Sequence, residues 1–65
     1  MPRKGTLYNY PLKSIYPQEY EAAVFAYSQA GWKEVGALPA EGLPTHIIFE
    51  WQLDSPPIYP AVAWP

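Results

Sequence analysis

The stretch Thr45-His46-Ile47-Ile48-Phe49-Glu50-Trp51-Gln52-Leu53 decides the fold. Ile47, Phe49, Trp51 and Leu53 fall on every second residue. His46, Glu50 and Gln52 fall between them, with Ile48 the one apolar exception. Period two of this kind is a strand with one face in a core and the other mostly in water. It is the longest clean alternation in the chain, so it reads as the central strand of a sheet.

Working outward, Thr6 to Lys13 (TLYNYPLK) is the first strand. Tyr8, Tyr10 and Leu12 share one face; Leu7, Asn9, Pro11 and Lys13 share the other. Pro11 has no N–H for a ladder, which puts this strand at an edge. Ser14 to Tyr16 is a turn, and Pro17 opens a helix predicted over about 17–30, where a missing N–H costs nothing. Glu19 sits in the first turn and Glu21 just beyond it, favourable for the positive end of the helix dipole. Tyr20, Ala23, Val24, Tyr27 and Ala30 form the core stripe at helical spacing, and Gly31 suits the left-handed cap that ends a helix. Trp32 to Leu38 (WKEVGAL) is the second strand, with Lys33 and Glu34 solvated and Gly36 marking a bulge or a close backbone approach. Two prolines and a glycine in PAEGLP, residues 39–44, make a loop.

The order strand, helix, strand, strand limits the topology. The third strand pairs antiparallel with both others if it lies between them. This is an α+β fold: β-α-β-β, one helix on a three-stranded antiparallel sheet of order 1-3-2. The competing arrangement, with strands one and two adjacent and parallel, leaves the best-patterned strand at an edge. The domain spans 6–54. Before it, MPRKG (residues 1–5) is a basic arm; after it, SPPIYPAVAWP (residues 55–65) holds 4 of the 9 prolines and is an extended tail. Ile58, Tyr59, Val62 and Trp64 are too apolar for an idle tail: it packs back on its own domain or adheres to another chain.

The pattern around Gln29-Ala30-Gly31-Trp32-Lys33-Glu34-Val35 resembles a small bacterial and phage domain family of unknown function. In that family a helix is followed by a turn written roughly A-x-G-W-E-hydrophobic, and the first strand is rich in aromatics, as LYNYPLK is here. The likeness spans about residues 6–53 and leaves the tail outside. Lys33 stands where the family tends to place Glu directly after Trp. The resemblance implies a fold and no activity.

Composition narrows the function classes. A chain of 65 residues buries only about 60% of the surface its unfolded form exposes, so its core is small. Cysteine count is zero and His46 is the one histidine, which leaves no disulfide and no metal site; association with another chain is the remaining way to add stability. No serine among Ser14, Ser28 and Ser55 sits in a Gly-x-Ser-x-Gly turn, so a triad with His46 and Asp54 has no support. Glu19 and Glu21 point about 200° apart on a helix and share no substrate. No phosphate-binding loop is present. We therefore expect no catalytic residues, no cofactor and no small-molecule substrate. There is no apolar run near the ~18 residues of a membrane span and no charged-then-apolar leader, so a cytoplasmic protein is the expectation.

The net charge of −2 lacks the clustered basic face of nucleic-acid binders. Tyr8, Tyr10 and Tyr16 near Arg3, Lys4 and Lys13 form a thin version of a single-strand binding groove, kept as an alternative. Binding to protein is the favoured class, as an accessory or structural subunit of a larger assembly or a homo-oligomer, of phage derivation; an inhibitor seated on a host enzyme is a further alternative. The expected partner-binding residues are Phe25, about 140° around the helix from Tyr20; Ile48 on the far face of the sheet; and Ile58, Tyr59, Val62 and Trp64 in the tail.

Overall fold

Ile47, Phe49 and Trp51 are buried along one side of strand β3 (His46–Trp51), as their alternation requires. The computed structural model describes residues 4–63. β1 (Leu7–Pro11), α1 (Gln18–Ala30) and β2 (Trp32–Leu38) precede β3 in the chain. β3 lies in the middle of a single sheet of order β1-β3-β2 and is antiparallel to both neighbours. This is the expected α+β arrangement, including the strand order and the place of Pro11 on an edge.

Register brings the large side chains together. Tyr8 stands across from Phe49, Tyr10 from Ile47, and Trp32 from Trp51. Ala23 and Tyr27 of α1 are buried against this face, and Tyr20, Val24 and Ala30 pack at its margin. The Tyr27 ring lies parallel to Phe49, centroids 4.5 Å apart, and parallel to Tyr8 at 5.9 Å. Stacked and edge-on ring pairs of this kind contribute beyond their buried area, which suits a chain with little core to spare.

Two glycines take different parts. Gly31 caps α1 at φ 124°, a conformation costly for any side chain, and its N–H donates to Tyr27 O. Gly36 closes an irregularity in β2: Glu34 faces Phe49 and Gly36 faces Ile48, so Val35 is the extra residue of a bulge.

Leu53 departs from its expected place in the core. It is 47% exposed and lies beyond the last residue of β3. The reason is the partner strand: β2 begins at Trp32, opposite Trp51. Past that row the Gln52 N–H donates to Gly31 O, and Leu53 folds over the helix cap.

Residues 55–62 of the tail pack on their own domain. Trp51 Nε1 donates to Ser55 O and Trp32 Nε1 to Ile58 O, both at 2.7 Å. The Tyr59 ring meets Tyr8 at 5.1 Å and Trp32 at 5.3 Å, and Val62 is part of the margin of the core. Of the two alternatives for the tail, this is packing on its own domain, and the two indoles give the reason. Each carries one N–H that burial obliges to find an acceptor, and an extended proline-rich backbone has unpaired carbonyls to offer.

Candidate functional site

Glu19 sets up one end of the molecule. Its side chain is 1% exposed. Oε2 accepts from the Tyr10 hydroxyl at 2.8 Å, and Oε1 accepts from the Lys13 and Ser14 N–H groups at 2.6 and 2.9 Å. Burial pushes this carboxyl up, but the bonds from Tyr10, Lys13 and Ser14 outweigh it and hold Glu19 below the usual glutamate value. Burial also raises the Tyr10 hydroxyl, and its bond to Glu19 raises it further. Tyr27 is pushed up to about 12, by burial first and by Tyr8 beside it. Glu19 therefore does more than complement the helix dipole: it pins the turn after β1 to the start of α1.

Beside that turn lies an open groove of about 390 Å³. Tyr20, Val24 and Phe25 of α1 line it with Tyr16, and Glu21 and Ser28 stand on the same helix stripe. Glu34 of the edge strand β2 forms the opposite wall. The stripe follows from helical spacing, since residues three and four apart are neighbours on the surface. The Tyr16 and Tyr20 rings meet edge-on, centroids 5.3 Å apart and planes at 71°. The Tyr20 hydroxyl donates to Glu34 Oε2 and bridges helix to strand. Phe25 is 67% exposed in this wall.

The expected contact residues do not converge. Phe25 belongs to the groove. Ile48 lies on the far face of the sheet, partly covered. Ile58 and Tyr59 are exposed on the tail, Tyr59 with one side of its ring against Tyr8 and Trp32. Val62 is committed to the core margin. Trp64 lies outside the described residues, as does Arg3 of the arm. Tyr8 and Tyr10, the rings of the nucleic-acid alternative, are partly buried among Tyr27, Phe49, Trp32 and Tyr59.

The sequence singles out Phe25 but not the groove. Tyr20 and Val24 do pack at the core margin, Tyr16 does stand in a turn and Glu34 is exposed; what local spacing does not show is that the four also line one groove. The available signal was the pair of i, i+4 steps Tyr20–Val24 and Glu21–Phe25, which sets aromatic, acidic and apolar groups on one stripe. Among the described residues no three His, Asp or Glu side chains gather as a metal site, and no helix is long and apolar enough to cross a membrane. No family model, no curated protein and no solved structure matches this chain, so the likeness around Gly31-Trp32 stands on those residues alone.

Proposed function

We propose that the chain is a protein-binding module that docks on another protein through the groove between α1 and β2. It acts by contact, not catalysis, as an accessory subunit of a larger assembly or against copies of itself. The observation that carries this reading is Phe25: a large aromatic two-thirds exposed in the wall of an apolar groove. Aromatics in such settings supply most of the energy of small interfaces, and exposed apolar surface rimmed by polar groups marks contact sites.

The test compares wild type with Phe25→Ser and, as a control, Leu43→Ser, an exposed apolar residue in the loop before β3. Each is used as bait in native extract and sedimented alone. We expect Phe25→Ser to lose the captured protein, or the self-association, that Leu43→Ser retains. Equal capture and equal sedimentation by all three would overturn the reading.

A further inference from the structure

We infer that the groove between α1 and β2 receives an arginine side chain presented by the partner. This rests on the docking reading above and names the chemistry of its ligand. The groove is mostly apolar but carries two carboxylates, Glu21 on the helix and Glu34 on β2, and no basic residue lines it. A wholly apolar partner covering it takes both carboxylates out of water with only the Tyr20 hydroxyl on Glu34 to compensate, and poorly compensated burial of charge is costly. An anionic partner adds repulsion. A cation offsets both penalties.

The aromatic walls narrow the choice of cation. Tyr16 and Tyr20 meet edge to face at 71° and both line the groove, and Tyr16 is 44% exposed, so the corner presents aromatic surface to a ligand. A planar guanidinium stacks on a tyrosine face and extends its fork toward a carboxylate; a compact ammonium does only the second. The Tyr20 hydroxyl donates to Glu34 Oε2, which leaves Oε1 without a partner among the described residues. Phe25 and Val24 then cover the methylene stem, the part of arginine that favours apolar contact.

The probes are two peptides, acetyl-Ala-Leu-Arg-Leu-Ala-amide and its citrulline counterpart, which keeps the shape and removes the charge. Both are titrated into the full isotope-labelled chain and followed by amide shifts. The arginine peptide is expected to move the amides of Tyr20, Phe25 and Glu34. Its affinity should exceed that of the citrulline peptide about tenfold, fall with added salt, and drop several-fold in Glu34→Gln. A lysine version should bind more weakly than the arginine one. Equal affinity for the arginine and citrulline peptides, or shifts confined to other surfaces, overturns the inference. Such a result leaves the docking reading to its own test, because Phe25→Ser capture does not depend on the charge of the ligand.

Discussion

Glu19 shows how much one side chain settles. A buried carboxylate held by a hydroxyl and two backbone N–H groups is stabilised in its charged form, and each bond to a charged group contributes about 1.5–3 kcal/mol. Glu19→Gln keeps the size but sets an amide NH₂ against donors. It is expected to destabilise the domain by about 2–3 kcal/mol, read from urea midpoints at neutral pH. The pH dependence follows from the lowered value in the folded state. The unfolded chain binds the proton more readily, so this contribution is whole above the ordinary glutamate value of about 4.3 and is lost as pH falls through the lower folded one. The gap between wild type and Glu19→Gln should therefore narrow at acid pH. A gap that stays constant to pH 2 would show that Glu19 is held by shape and not by charge.

At the scale of elements, the two glycines next to β3 give opposite expectations. Gly31 sits at φ 124°, and a Cβ there stands 2.9 Å from Leu53 Cδ1 and 3.1 Å from Trp51 Cζ3. Gly31→Ala is expected to destabilise by about 1–3 kcal/mol, since backbone strain persists even if Leu53 swings aside. Gly36 has a φ outside that region, and a Cβ there meets nothing within 4 Å. Gly36→Ala should leave the fold intact and raise stability by about 0.4–1 kcal/mol through the unfolded chain. Denaturant midpoints of the two variants check both signs. The elements themselves were legible in the sequence because each has its own punctuation: Pro17 and Gly31 around α1, Gly36 at the bulge, PAEGLP before β3. Strand order was legible because only one strand had a full alternation. Glu19 and the groove were not. A carboxylate in a first helical turn looks the same in sequence whether it faces water or the turn before it. A groove depends on how far a helix stands from an edge strand, which no local pattern records.

For the whole molecule the tail is decisive. Two indole N–H groups, one face of the Tyr8–Trp32 aromatic cluster and part of the core margin depend on residues 55–62. Truncation after Asp54 leaves two buried donors to water or to nothing, at about 1–3 kcal/mol each. A domain this small holds only about 3–5 kcal/mol from its core. The truncated chain is expected to lose its near-ultraviolet circular dichroism and its cooperative melting. A truncated chain that melts as wild type does would show that water satisfies Trp32 and Trp51 equally well.

The place of β3 also bears on how the chain is made. β1 and β2 flank β3 and do not touch as neighbours. During synthesis both edge strands emerge before the strand that joins them. Until Trp51 has left the ribosome, β1 has no partner and the aromatic face of α1 has no sheet to cover. β2 and β3, separated by one short loop, are the natural first pair. β1 follows by closing a loop that contains the whole helix, a non-local step of the kind that slows folding. Tyr8, Tyr10, Tyr27 and Trp32 therefore lack the cover of β3 until Trp51 has emerged, and exposed apolar surface of this kind needs protection most in that interval.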